Sequence, residues 1–423
     1  MPEHRDALTR ASSPLLALAL LPLPLLVGAC SSSDGEGPSG PNGAPSTTTQ
    51  PPKGTPPTTE TPKGTPRAIA AGSKHSLAVD EDGTVWAWGT NSLGQLGVGL
   101  SPTQSTTPVA VEGLEDVIAV AAGDDHSLAL QSDGTVWAWG FNVSGQLGPD
   151  GPDAGMPQRT PVQVPGITSA VAIAAAGSQS LALLDDGTVL AWGLNANGEL
   201  GRGMFSTSST TPEPVEDLED VIAIAAGGIN AGSHVLALKA DGTVWAWGKN
   251  GSGELAADRN YPALASPEQV PGITDAIGVA AGSAFSFALL EDGSVMAWGA
   301  NNVGQLGTGE TSAFIDSPVE VADIDDAIQI AGGLQHVVAL HADGSVSTWG
   351  ANAQDQLGTG GGTVWEPDVE SVSDLEGVNA IAAGTYHSLV ATDDGVWAWG
   401  WNLNAQLGGG DVGESRGVPG RVW

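Results

Sequence analysis

The sequence predicts an all-β fold, a seven-bladed β-propeller with four antiparallel strands per blade, over residues 66–423. Three observations carry that prediction. One phrase, an Asp-Gly turn followed by a short apolar run and Trp-Gly, occurs seven times, from Asp82–Gly89 to a one-residue-shorter copy at Asp394–Gly400. The Trp of the Trp-Gly pair falls at 88, 139, 192, 247, 298, 349 and 399, a step of 50 to 55 residues. Such a period belongs to arrays and propellers rather than to one globular core. Finally, each unit carries the same short Val/Ile/Leu/Trp/Ala runs in the same order, bounded by Gly, Pro, Asn and Asp, with no stretch of helical periodicity long enough to compete.

The second unit illustrates the four strands. Strand A is Val117–Gly123, strand B His126–Leu130, strand C the Val-Trp-Ala-Trp-Gly run ending at Gly140, and strand D begins at Pro161. Strands B and C form a tight hairpin, because the Gly after Asp supplies the positive φ that such turns require. Seven meanders joined head to tail close into a ring that leaves only short, protected edges. The meander places A–B and C–D connections on one face and B–C and D–A connections on the other. Residues 419–423, Pro-Gly-Arg-Val-Trp, read as a last strand that helps close the ring against the unit beginning at Arg67.

The motif order, Ala-Ala-Gly-x-x-His-Ser-Leu-Ala-Leu, then Asp-Gly-x-Val-x-x-Trp-Gly, then Asn-x-x-Gly-Gln-Leu-Gly, resembles the RCC1 (regulator of chromosome condensation) repeat family. The last motif recurs from Asn91–Gly97 to Asn402–Gly408, with Glu199 and Glu254 replacing Gln, Asp355 and Ala405 replacing the first Gly, and Ala256 replacing the last. The resemblance implies an RCC1-like propeller. It also brings guanine-nucleotide exchange on a small GTPase, the activity for which the family is named, and inhibition of a secreted hydrolase, since RCC1-like propellers include secreted β-lactamase inhibitors with shorter repeats. Propellers host many unrelated activities, so fold alone selects none of these.

Residues 1–29 read as an export signal. Arg5 and Arg10 precede an apolar stretch, Pro14–Gly28, that is short for a membrane-spanning helix and interrupted by Pro22 and Pro24. The chain's one cysteine, Cys30, follows Val-Gly-Ala, which is similar to the lipobox of bacterial lipoproteins. That resemblance implies lipidation of Cys30 and cleavage before it; the alternative is an ordinary signal peptide with an incidental cysteine. Several acyl chains on one residue would anchor the protein firmly, since each buried methylene contributes about 0.8 kcal/mol. The expected location is the cell envelope, lipid-anchored and extracytoplasmic, at a bacterial outer membrane or cell surface. Residues 30–65, rich in Ser, Gly, Pro and Thr and repeating Pro-Lys-Gly-Thr-Pro, lack the apolar surface to fold and read as an extended tether.

The formal charge is −35, and removing residues 1–29 takes away two bases and two acids and leaves it there. Nucleic acid is therefore excluded as a partner, because affinity for phosphate backbones comes from Lys and Arg displacing counterions. The B–C and D–A turns collect most of the acids, including Asp133, Asp186, Asp241, Asp220 and Asp275, with Lys239 the one base placed there. That face reads as a solubilising acidic plate. The opposite face carries C–D connections of 16 to 20 residues between Trp-Gly and the next Pro. Loops of that length on a rigid scaffold are where binding residues concentrate. Their non-repeating parts hold Phe205, Tyr261, Phe314 and Trp365, apolar side chains of the kind interfaces use as anchors. The repeated Asn-x-x-Gly-Gln-Leu-Gly portion reads as a structural turn.

Most of the fourteen tryptophans sit at repeat positions and read as blade-to-blade packing. The histidines at the start of strand B, His75, His126, His234, His336 and His387, form a series broken by Gln179 and Phe285, so local hydrogen bonding to backbone is favoured over a metal ring. No nucleophile elbow, His-Glu-x-x-His or phosphate loop is present, and no catalytic residue, cofactor or metal is assigned. The sequence reads as a binding or scaffold module, not an enzyme, recognising a protein or a cell-envelope glycan through its C–D face.

Overall fold

In the computed structural model, residues 62, 64–151, 155–229 and 232–423 are described; the expected signal segment, Cys30 and nearly all of the tether lie outside them. The described residues form 28 strands in seven four-stranded antiparallel sheets. Blade 1 is β1 (Ala68–Ala71), β2 (His75–Val79), β3 (Val85–Thr90) and β4 (Gln104–Ala110), paired in that order, and the pattern runs through to blade 7, β25 (Val378–Ala383), β26 (His387–Thr392), β27 (Gly395–Asn402) and β28 (Gly413–Arg421). Every blade is built from four consecutive strands, so closure exchanges no strand between the termini. The ring is sealed by packing instead. Trp423 meets Trp88 edge to face with centroids 5.7 Å apart, Trp88 Nε1 donates to the Gln406 carbonyl at 2.8 Å, and the Gly410 amide donates to the Thr106 carbonyl at 2.8 Å.

The Trp of each Trp-Gly pair is fully buried in a seam between blades. In all seven copies its indole N–H donates, at 2.8–3.0 Å, to the carbonyl of the Gln or Glu in the Gln-Leu-Gly motif of the preceding blade. This satisfies the ring's single donor while its large apolar face stays dry. Core clusters accordingly bridge blades: Trp139 of blade 2 packs with Leu77, Val79 and Leu96 of blade 1, and Trp192 of blade 3 with Leu128, Leu130 and Leu147 of blade 2.

The Gly after that Trp is required by sterics. Gly89 has φ +100°, and a Cβ there would stand 2.5 Å from the Lys74 carbonyl oxygen. Strand C is thereby kinked, and pairing with strand D resumes after a register shift in every blade.

Strand A lines the axis and carries a second irregularity. In blades 2 to 7 one residue near its start has no partner across the ladder, as Ile118 lies between the pairs Val117–Gln131 and Ala119–Leu130. Such a bulge re-aims one side chain.

Strand D begins earlier than the Pro landmark suggested. It is seven residues long in most blades, with the Pro inside it, and this shortens the connections on the C–D face. Phe314 and Trp365 accordingly open β20 (Phe314–Glu320) and β24 (Trp365–Ser371) rather than lying in loops.

Candidate binding faces

Around the axis, six Ala-Gly turns such as Ala71-Gly72, Ala122-Gly123 and Ala383-Gly384, with Gly332-Gly333 in blade 6, enclose a channel space of about 80 Å³. Its walls are mostly Ala, Gly and backbone, with Asp124, Ile229 and Leu334 among the larger side chains, and it holds a few waters at most.

Just outside that channel runs a belt of cross-seam hydrogen bonds. His75 Nε2 lies 3.0 Å from Ser127 Oγ of the next blade, and the same pairing joins His126 to Ser180, His234 to Ser286, His336 to Ser388 and His387 to Ser76, at 2.8–3.1 Å. The expectation of local bonding to backbone is thus corrected: the partner is a hydroxyl on the neighbouring blade. Ser127 Oγ also stands 2.8 Å from the Gln95 carbonyl, which can only accept, so the serine proton goes there and the histidine must donate from Nε2. A charged ring would donate equally well, so it is burial, not this bond, that keeps the imidazoles neutral. Burial pushes His75, His234 and His387 down to about 3 and His126 and His336 down to about 4. Where the belt departs from His, its partner follows: Gln179 accepts from Ser233 at 2.9 Å, and Phe285 shares a dry core with Val337, which holds the serine position. The Gly of Ala-Ala-Gly belongs to this device, since a Cβ on Gly123 would stand 2.3 Å from the His126 ring. Among the described residues no group of His, Cys, Asp or Glu is arranged to hold a metal ion.

The Asn-x-x-Gly-Gln-Leu-Gly segment is a turn held by its own side chains. Asn91 Oδ1 accepts from the Leu96 amide at 3.1 Å, its Nδ2 donates to the Pro102 carbonyl at 2.7 Å, and Gln95 Oε1 accepts from the Leu93 amide at 2.9 Å. Glu254 keeps the last role by accepting from the Ser252 amide, and burial raises its pKa. What varies on this face lies beyond the turn. Tyr261, Phe205 and Trp365 are 61%, 58% and 49% exposed, one each on blades 4, 3 and 6. Phe314 is half-buried, with the Arg259 guanidinium from the preceding blade 3.4 Å above its ring centre. The four stand one per blade on consecutive blades, and among the described residues no ring contact joins any two of them.

Sequence reasoning missed the rest of the series. Leu100, Met156, Met204, Val364 and Leu403 are also exposed on C–D connections, so six of the seven blades present at least one exposed apolar or aromatic side chain there, and blade 5 presents the half-buried Phe314. It missed, too, the Tyr386–Trp401 edge-to-face pair of blade 7, centroids 5.3 Å apart, where the A–B and C–D turns meet. An isolated apolar residue within a polar loop carries no periodic signal; only alignment of the seven loops brings the series out.

On the opposite face the Asp of the Asp-Gly hairpin is a cap as well as a charge in blades 2 to 6, and in blade 1 Asp80 takes that role. Asp133 Oδ1 accepts from the Thr135 amide and hydroxyl at 2.9 and 2.7 Å, and these bonds hold its carboxyl below the usual range, as the equivalent bonds do at Asp186, Asp241, Asp292 and Asp343. The placement of Lys239 as the one base here is corrected: Arg67 opens the first blade on this face, and Arg421, closing the last, donates to the Asp394 carbonyl at 2.7 Å.

Seven consecutive four-stranded blades, locked by a Trp-to-carbonyl bond and a His–Ser belt across the seams, define a closed β-propeller whose variable chemistry lies on its two faces. Models of the regulator of chromosome condensation (RCC1) repeat match residues 67–95, 82–130, 117–146, 133–183 and 186–238, and an RCC1-like domain model matches residues 229–422. The chain belongs to the RCC1 repeat family. It is 32% identical to the ultraviolet-B receptor UVR8 of Arabidopsis thaliana over 82% of this chain and 79% of that protein, and 30% identical to human regulator of chromosome condensation over 79% and 84%. Human E3 ubiquitin-protein ligase HERC2 is 31% identical, but the chain spans 7% of its length. Among solved structures, yeast RCC1 (Prp20) bound to Kap60 superposes with a TM-score of 0.71 at 25% identity, covering 84% of this chain and 85% of that one.

Proposed function

We propose that this propeller is the recognition module of a lipid-anchored extracytoplasmic protein, and that it binds a protein or cell-envelope glycan through its C–D face. One observation carries the reading: the repeated part of each C–D connection is consumed by structural hydrogen bonds, while beyond it six of the seven blades offer exposed apolar or aromatic side chains on a rigid rim and blade 5 offers the half-buried Phe314. Rigid presentation lowers the entropic cost of binding, and exposed aromatics supply anchors. The partner is first identified by proximity labelling on intact cells. Its affinity is then measured for wild type and for Tyr261→Ala with Trp365→Ala; unchanged affinity removes the C–D face as the site.

The similarity to regulator of chromosome condensation supports a second reading, exchange-factor-like action on a small GTPase. Acceleration of nucleotide release from a GTPase by the purified chain would favour it over the envelope reading, and no acceleration would remove it.

A further inference from the structure

The acidic face is not uniformly acidic. At the bulge near the start of strand A, where one residue escapes the ladder, five consecutive blades place a branched aliphatic: Ile118, Val171, Ile222, Ile277 and Ile328. The last four are between 39 and 47% exposed, and Ile118 is half-buried. The equivalent positions in blades 7 and 1 hold Asn379 and Arg67, which close the circle with polar groups. Because A strands are innermost, the five aliphatics form an arc around the channel mouth. In four of the five blades an exposed Asp stands two residues before the aliphatic: Asp116, Asp220, Asp275 and Asp326.

We propose that this arc is a docking surface for a basic protein segment carrying branched or long aliphatic side chains. A bulge could as readily point Ser or Thr at water, yet four blades in succession expose an apolar group there, beside the half-buried Ile118, and contiguous exposed apolar surface marks interaction sites. Charge selects the occupant. The flanking carboxylates repel an anionic bilayer or a polyanion, and they repel a second copy of the same face, whereas Lys or Arg side chains would pair with them around an apolar centre. The surface lies on the opposite end of the propeller from the C–D face, so the two can be occupied together.

The test uses the full chain and two soluble peptides of equal charge, one of lysine and leucine and one of lysine and serine, titrated by fluorescence anisotropy at physiological ionic strength. Wild type is expected to bind the lysine–leucine peptide more tightly than the lysine–serine one. Combined Ile222→Ser, Ile277→Ser and Ile328→Ser should weaken the first by about tenfold or more, from lost apolar burial, and leave the second unchanged. Leu100→Ser with Leu403→Ser, on the other face, should change neither. Hydrogen exchange of wild type should slow on peptide addition at residues 117–119, 221–223 and 276–278, which reads the site without any substitution. Equal affinity of the triple variant and wild type for the lysine–leucine peptide overturns the proposal. So does wild-type dimerisation in sedimentation that the serines abolish, which would make a second copy the occupant, or serine-sensitive binding to phosphatidylcholine vesicles without peptide binding, which would make it a bilayer.

Discussion

Phe285 stands where five of the seven blades carry a seam histidine, and Val337, with which it shares a core cluster, stands where the next blade would carry the accepting serine. The seam has exchanged a hydrogen-bonded pair for an apolar one, with both members changed together. Phe285→His alone would bury an Nε2 donor facing a valine, which costs about 1–3 kcal/mol. Adding Val337→Ser supplies the acceptor and should recover about 1 kcal/mol or more. Chemical denaturation of the two single variants and the double variant gives the cycle; simple additivity would mean that the pair does not interact.

Ring closure rests on the last residues. Val422 donates its amide to the Val396 carbonyl at 2.8 Å, and Trp423 packs on Trp88. Deleting residues 418–423 uncovers Trp88 and leaves one face of the last blade open, so the melting temperature should fall by many degrees or the protein should aggregate. An unchanged thermal transition of the truncated protein would assign closure to the inner strands alone.

Stability should fall on mild acidification. The five seam histidines have native pKa values of about 3 to 4, below about 6.5 in the unfolded chain. The unfolded state therefore binds more protons through this interval, and their contribution, full above about pH 6.5, is lost as pH falls toward about 4 at up to about 1.4 kcal/mol per unit per histidine. The hairpin aspartates, with lowered pKa values, lose their contribution at still lower pH. Denaturant midpoints between pH 7 and 4.5 measure the slope, and His126→Phe with Ser180→Val should reduce it by one histidine's share. A flat profile would contradict the burial of neutral imidazoles.

Tyr261→Ala with Trp365→Ala should leave the melting temperature unchanged, since both rings are largely exposed, and should weaken partner binding by about 1–4 kcal/mol if either is an anchor. Asp133→Asn, Asp186→Asn and Asp241→Asn together, which keep an acceptor for the hairpin cap, should alter that affinity little at physiological salt. Loss of binding with the asparagines and indifference to the alanines would move this partner to the acidic face.

If the proposed lipid anchor is on Cys30, Cys30→Ser blocks acylation and releases the protein from the detergent phase in a partition assay. Retention equal to wild type would show that the anchor is not on Cys30.

The sequence by itself determined the fold. Seven copies of a Trp-Gly phrase at a near-constant step set the number of blades, and the Asp-Gly hairpins set strand order, because turn chemistry and period are local properties. It also picked out the tryptophans as seam residues. Tertiary structure decided what those residues touch. That each seam histidine meets a serine of the next blade, about one repeat on in four cases and across the ring closure for His387 and Ser76, could not be read locally, since the contact exists only after neighbouring blades stack. The strand D boundaries were misplaced because Pro is tolerated within an outermost strand, so the landmark does not mark its start. The aliphatic arc was hidden for a related reason: a period-two reading sends the adjacent Val117 and Ile118 to opposite faces of one strand. The bulge decides how far the second is exposed: Ile118 stays half-buried, whereas at the same place in blade 4 Val221 is buried and Ile222 is turned out to water.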